Sequence, residues 1–266
     1  MQPMLNTAST AARAAGDHII RYINRVPSLK IDVKKRNDFV SEVDRKAEEI
    51  IIETLLKAYP THSILAEESG LSEQGDPEFQ WIIDPLDGTT NFLHGLPHYA
   101  VSIALKKAGR LEEAVIYDPY RQEMFTASRG QGARVNNRKI RVTDKHSVKG
   151  ALIGTGFPFR QHEHFETYQA MFADFFKQAT DIRRAGCAAL DLAYIAAGRL
   201  DAFWEIGLCQ WDMAAGTLLI REAGGLVGDF TGTEAFMESG NVVAASPQLF
   251  HEMLQTLKPH LTDTLR

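Results

Sequence analysis

The sequence predicts a layered α+β/α/β sandwich, and two features of its patterning carry that reading. Up to about residue 150, compact β-type runs dominate behind two helices; after Ala151, short strands alternate with helices. No low-complexity tract, repeat or long linker separates the halves, so residues 1–150 and 151–266 are expected to pack tightly as one unit.

Each element follows from its spacing. Leu5, Ala8, Ala12, Ala15, Ile19 and Ile23 recur at helical intervals and predict an amphipathic first helix. Ser41 or Asp44 is placed to cap a second helix running to about Ala58, with Ala47, Ile50, Ile51, Thr54 and Leu55 on its buried face, and Pro60 ends it. A short strand over 63–66 leads into Glu67-Glu68, and residues 73–78, with Gly75 and Pro77, read as a surface loop. Trp81-Ile82-Ile83 is an apolar strand that stops at Asp84. Strands follow over 101–105, 114–117 and 124–127, with a hairpin turning at Asn136-Asn137. In the second half, helices are predicted over 165–177, 187–197, 213–223 and 249–257, with strands over 201–204, 226–230 and 241–245. Gly198 and Gly224 stand where left-handed C-caps are expected.

Composition narrows the function. A formal net charge of −5 argues against a broad nucleic-acid-binding surface; the densest basic run, Lys30 to Arg36, reads as a solvated face. No stretch approaches the roughly 20 apolar residues that span a bilayer. The first 20 residues lack the basic start and continuous apolar core of a signal peptide, and Cys187 and Cys209 are the only cysteines, so a cytoplasmic protein without disulfides is expected.

Chemistry concentrates at Asp84-Pro85-Leu86-Asp87-Gly88-Thr89-Thr90. An apolar strand ends in two carboxylates, with Pro85 fixing the backbone between them, and strand ends opening on a crevice are where α/β folds place ligands. The small polar residues from Gly88 to Asn91 suit a helix start whose amides cradle phosphate. Carboxylates beside a phosphate repel it unless divalent ions lie between them, and an all-oxygen donor set selects Mg²⁺ over zinc. Alone, Asp87 reads equally as an N-cap and Asp84 as the end of a strand. Glu67-Glu68 after another strand, Asp212 at a later helix start, and Asp38 and Asp44 near the second helix make the coincidence harder to dismiss. His94 and His98 are separated by Pro97, which spoils a zinc-binding helix face, and Cys187 has no C-x-x-C partner or nearby histidine.

Asp84-Pro85-Leu86-Asp87-Gly88-Thr89-Thr90-Asn91-Phe92 and Trp211-Asp212-Met213-Ala214-Ala215-Gly216 resemble the two signatures of the inositol monophosphatase family. Ala66-Glu67-Glu68-Ser69-Gly70 and Asp38-Phe39-Val40-Ser41-Glu42-Val43-Asp44 match its other acidic segments, and the likeness runs from the first helix through Gly225. The resemblance implies a five-layered αβαβα sandwich, a homodimer, two or three Mg²⁺ ions and inhibition by lithium. It assigns Glu67, Asp84, the Leu86 carbonyl and Asp87 to the metals, joined by Asp212 on a second ion. Thr89 and Asp44 become the pair that orients and deprotonates the attacking water, and the amides of Gly88 and Thr89 hold the phosphate. Arg183, Ala188 and Glu205 fall where the family contacts the polyol ring. In these terms residues 1–150 carry the main metal and phosphate site, and residues 151–266 supply Asp212 and the substrate contacts.

Two features depart from the family pattern. Cys187 replaces a small hydroxyl residue, and Lys34 and Lys35 leave the register of the family's loop lysine open. The expected activity is Mg²⁺-dependent hydrolysis of inositol 1-phosphate or a related polyol phosphate by metal-activated water. Glu205 favours a polyol because a carboxylate accepts hydrogen bonds from ring hydroxyls. Fructose 1,6-bisphosphate, 3′-phosphoadenosine 5′-phosphate and histidinol phosphate are the competing substrates. Some bacterial members similar to this chain also bind RNA polymerase and Nus factors in ribosomal RNA transcription. Arg183-Arg184 and the Lys30 to Arg36 run are the charges available for such docking.

Overall fold

The computed structural model describes residues 3–23, 25, 31–35, 38–72 and 74–265, with residues 31–35 and 38–40 described by backbone alone. Lys30, Arg36 and Asn37 lie outside the described residues, and so do the side chains of Lys34, Lys35 and Asp38.

Helix α1 (Pro3–Ile20) buries Leu5, Ala8, Ala12, Ala15 and Ile19, the stripe expected from its spacing. A small hairpin, β1 (Ile31–Lys35) and β2 (Asp38–Ser41), leads into α2 (Glu42–Ala58). Ser41 is the cap: its hydroxyl accepts the Val43 N–H at 3.1 Å, while Asp44 accepts the Ser41 N–H at 2.9 Å. Both helices cover one face of a mostly antiparallel sheet. Its strands are β3 (His62–Ala66), β4 (Gly70–Leu71), β5 (Asp76–Asp87), β6 (Ala100–Lys107), β7 (Arg110–Asp118), β8 (Glu123–Ser128), β9 (Gly132–Val135) and β10 (Arg138–Lys139). Among the described residues the order is β10-β9-β8-β7-β6-β5-β3-β4, and β9 turns into β10 through left-handed Asn136 and Asn137.

The second half builds a five-stranded sheet from β11 (Leu152–Thr155), β12 (Asp181–Arg183), β13 (Ala202–Glu205), β14 (Leu226–Gly228) and β15 (Val242–Ala245), ordered β12-β11-β13-β15-β14. Its helices are α4 (Phe165–Gln178), α5 (Ala188–Ala196), α6 (Gln210–Glu222), the short α7 (Phe236–Ser239) and α8 (Pro247–Leu257), with α3 (Thr89–Leu93) lying earlier in the chain. Gly198 and Gly224 are left-handed, as expected of C-caps.

Strand alternation stacks these elements. Along β6, Val101, Ile103 and Leu105 join the core with α1 and α2, while Ala100 and Ala104 face α5 and α6. On β15, Val242 and Ala244 face that same middle helical layer, while Val243 and Ala245 face α4 and α8. The layers are therefore α1/α2, large sheet, α5/α6, small sheet and α4/α8, the αβαβα sandwich expected. Among the described residues no helix is long and apolar enough to cross a membrane.

Two local expectations are corrected. Residues 76–78 are strand rather than loop, because Gly75 (φ +118°) lies tight against His62 and Ser63 and turns the chain into parallel pairing with β3. Pro77 is tolerated there because pairing of β5 with β6 starts only at Phe79. At its other end β5 runs past Asp84 to Asp87 through a bulge: Asp84 pairs with Ser102 and Asp87 with Ala100. A three-residue step on β5 thus matches a two-residue step on β6. Without that extra residue, Asp84 and Asp87 would point to opposite faces; with it, both point toward the middle helical layer.

Candidate active site

The bulged end of β5 meets the N-termini of α5 and α6 at a cavity of about 450 Å³. Glu67, Asp84, Leu86, Asp87, Gly88, Thr89, Ala188, Glu205 and Asp212 all line it. The parallel register of β3 and β5 sets Ala66 beside Ile83, so the next residues, Glu67 just past the end of β3 and Asp84 still on β5, stand side by side. Buried Glu48 anchors the turn beyond, accepting the amides of Glu68 and Ser69 at 2.9 Å each. Glu67 faces the cavity and Glu68 does not.

Asp84, Asp87 and Asp212 are each oriented by a backbone donor. Asp84 accepts the Leu86 N–H at 2.9 Å, and Asp87 accepts the Ala189 N–H at 2.6 Å in the first turn of α5. Asp212, in the first turn of α6, accepts the Cys209 N–H at 2.7 Å and meets Arg160 at 3.3 Å. The Ser102 hydroxyl donates to the Trp211 carbonyl at 3.2 Å, tying that helix start to β6 opposite Asp84.

Asp84, Asp87 and Asp212 place carboxylate oxygens within 4.8 Å of one another. Burial, and then the charges of Glu67, Asp87 and Asp212, push the Asp84 carboxyl well above the ordinary range. Burial and then Asp212 push Asp87 up to about 7. Such crowding is costly unless a cation is shared, and the oxygen-only donor set fits a hard divalent ion. Glu67, Asp84, Asp87, Asp212 and the Leu86 carbonyl are the groups available to hold it.

Beside them, the Thr89 hydroxyl lies 2.9 Å from Asp44 Oδ1 and 3.0 Å from the Leu86 carbonyl. Asp44 is buried beneath the cavity wall, and burial raises its pKa against the opposing hydrogen bonds from Ser41 and Thr89. Gly88 (φ +93°) starts α3; a Cβ there would fall 2.9 Å from the His98 carbonyl, so only glycine fits. Asn91 holds α3 against the approach to α5, donating to the carbonyls of His98 at 2.8 Å and Ala185 at 2.9 Å.

On the opposite wall, Glu205 ends β13 beneath Gly156, where a Cβ would sit only 2.0 Å from Glu205 Oε1. Ala188 opens α5. Arg183 is not in the wall: it is exposed and pairs with Asp181 at 2.5 Å on its own strand, and the neighbouring Arg184 lines the cavity instead. Cys187, the N-cap of α5, is buried against Asp87, and burial followed by that carboxylate raises its thiol pKa well above the usual value. Arg160, Arg184 and Asp191 also line the cavity and were not anticipated. Asp191 had a signal, a lone acid inside the apolar run Ala188-Ala189-Leu190-Asp191-Leu192-Ala193.

An αβαβα sandwich with an oxygen-lined acidic cavity at its strand ends defines the metal-dependent phosphatase class to which the family resemblance points. The chain belongs to the inositol monophosphatase family, whose model matches residues 1–261. It is 56% identical over 270 residues to the Nus factor SuhB of Pseudomonas aeruginosa and 50% identical over 266 residues to that of Escherichia coli K12, covering 100% of both chains in each comparison. Among solved structures, the extragenic suppressor protein suhB of Bartonella henselae superimposes with a TM-score of 0.95 at 42% identity, over 98% of this chain and 100% of that one. The inositol monophosphatase of Thermotoga maritima superimposes with a TM-score of 0.88 at 32% identity, over 97% of this chain and 98% of that one.

Proposed function

We propose that this protein is a Mg²⁺-dependent phosphomonoesterase that hydrolyses inositol 1-phosphate or a related polyol phosphate. The observation that carries the reading is the Asp84, Asp87 and Asp212 cluster, within 4.8 Å, beside the Thr89–Asp44 pair. When bound, Mg²⁺ supplies water of lowered pKa, charge neutralisation on the phosphate and stabilisation of the leaving oxygen. Glu67, Asp84, Asp87, Asp212 and the Leu86 carbonyl hold it in this reading. Thr89 orients the attacking water and accepts its proton while passing its own to Asp44. The first amides of α3, at Gly88 and Thr89, hold phosphate oxygens, since a helix start has no intrahelical acceptors for them. Ala188 and Glu205 shape the polyol side, with Arg184 in the place expected of Arg183.

The test is turnover on inositol 1-phosphate, fructose 1,6-bisphosphate, 3′-phosphoadenosine 5′-phosphate and histidinol phosphate, with and without Mg²⁺ and Li⁺. Mg²⁺-dependent, Li⁺-inhibited release with inositol 1-phosphate preferred is expected. Absence of release from all four would overturn the reading.

A second role is supported by the names of full-length relatives at 48–56% identity, each called a Nus factor. In this reading the chain also binds the transcription machinery, RNA polymerase with Nus factors, through an outer surface in the cytoplasm. Pull-down of polymerase by a catalytically inactive Asp87→Asn protein, with growth of the mutant strain unchanged, supports that role as the one the cell needs. Lost growth with polymerase binding intact favours the enzyme. A homodimer is part of the same proposal, and sedimentation at a single-chain mass would remove it.

A further inference from the structure

Two carboxylates in the cavity wall differ from the rest. Asp191, one turn into α5, is 2% exposed, and Glu205 at the end of β13 is 7% exposed. Neither carboxylate receives a hydrogen bond among the described residues, whereas Asp44, Asp84, Asp87 and Asp212 each accept at least one backbone or hydroxyl donor. Nor does Asp191 belong to the mutually close set formed by Asp84, Asp87 and Asp212. Buried polar groups without partners are rare because their desolvation is uncompensated. Both side chains border the cavity, so the missing donors come from whatever fills it.

We propose that Asp191 is a specificity-determining residue that accepts a hydrogen bond from a substrate hydroxyl, so that it and Glu205 grip two hydroxyls of one polyol ring. The inference rests on the phosphatase reading and deepens it. The backbone at the end of β11 runs close to both: a Cβ on Gly154 would be in van der Waals contact with Asp191 Cγ at 3.7 Å, and one on Gly156, just past the strand, would overlap Glu205. Burial, and then neighbouring carboxylates, push both groups well above the ordinary carboxylate range while Arg184 opposes the shift, so Asp191 and Glu205 offer acceptor oxygens and no cationic charge to a second phosphate. The wall therefore selects a monophosphate whose leaving group is neutral and rich in hydroxyls over a bisphosphate.

The test compares Asp191→Ala and Asp191→Asn with the parent protein on inositol 1-phosphate and on phenyl phosphate, whose leaving group offers no hydroxyl. A hydrogen bond to a buried carboxyl oxygen predicts that Asp191→Ala lowers the ratio of kcat/KM for inositol 1-phosphate to that for phenyl phosphate by about tenfold, mainly through KM. Asp191→Asn keeps an acceptor and should lose less. Equal losses on both esters, or an unchanged ratio, overturn the inference. Circular dichroism melting establishes that both variants fold. If the parent protein hydrolyses neither ester, the phosphatase reading fails, and calorimetric binding of inositol 1-phosphate decides the role of Asp191 alone. Binding about tenfold weaker in Asp191→Ala then upholds it; equal binding, or none to the parent, overturns it.

Discussion

Thr89 Oγ1 lies 2.9 Å from Asp44 Oδ1, although 45 residues of chain separate them. Asp44 is held there by the Ser41 amide and hydroxyl at the start of α2, and Thr89 by the first turn of α3. A hydroxyl has one proton. Sharing it between Asp44 and the Leu86 carbonyl at 3.0 Å leaves oxygen lone-pair density for a water in the cavity. Thr89→Ala is therefore expected to lower kcat by about 10²- to 10⁴-fold, the usual range for general acid–base contributions, with a much smaller change in KM. Thr89→Ser keeps the hydroxyl and should recover most of the rate. Steady-state phosphate release checks both, and a Thr89→Ala protein with near-parent kcat removes Thr89 from the mechanism.

The carboxylate cluster makes a prediction about stability as well as rate. Asp87→Asn and Asp212→Asn should abolish Mg²⁺-dependent phosphate release, since each removes a charged oxygen donor from the site. Without divalent ions, Asp87→Asn should melt at or above the parent temperature at pH 8, because one of several crowded buried charges is gone. On adding Mg²⁺ the parent should gain more in Tm than the variant. Scanning calorimetry measures both. A folded Asp87→Asn protein with near-normal turnover would sink the site assignment.

The site was legible where local chemistry is unusual and illegible where it depends on pairing partners far along the chain. Read beside Glu67, Asp44 and Asp212, an apolar strand ending in Asp84 and Asp87 signals a site. Their common direction does not, because it comes from a bulge set by the register of β5 against Ser102 and Ala100. The resemblance assigns Arg183 to the polyol side, whereas Arg184 lines the cavity and Arg183 pairs with Asp181. Among the described residues strand β12 pairs with β11 alone and ends at Arg183, so Arg184 is the first residue past the strand. Both of those short strands were missed, while the helical spacing of α1, α2, α4 and α8 was strong enough to predict each from its own residues.

Proton binding at Asp87 gives a pH dependence with a definite sign. An unfolded aspartate titrates near about 3.9, and the folded, metal-free carboxyl is pushed up to about 7 by burial and then by Asp212. Between those values the native state holds a proton that the unfolded chain has lost. The corresponding stability is fully present below the unfolded value and is lost as pH rises through about 7. A divalent ion competes with that proton, so the rise in Tm produced by a fixed Mg²⁺ concentration should be larger at pH 8 than at pH 6. Melting curves at both pH values, with Mg²⁺ or with EDTA, check this. A Mg²⁺ shift that is equal at both, or larger at pH 6, contradicts the assignment of Asp87 as a ligand.

Gly88 joins the carboxylate strand to the phosphate-facing helix, and its backbone leaves no room for a side chain. At φ +93° a Cβ is strained, and it would also fall 2.9 Å from the His98 carbonyl and 3.3 Å from Tyr99. His98 cannot yield easily, because its carbonyl also accepts Asn91 Nδ2 at 2.8 Å, the bond that helps hold α3 against the approach to α5. Gly88→Ala should therefore destabilise the protein by about 1–3 kcal/mol, the usual cost of a side chain in such a conformation. Activity should fall further than lost folding explains, since α3 must shift and carry Thr89 away from Asp44. Denaturant unfolding and kcat measured well below the melting transition separate the two effects. A Gly88→Ala protein of parent stability and parent kcat would show that this turn is neither strained by a side chain nor needed to aim Thr89.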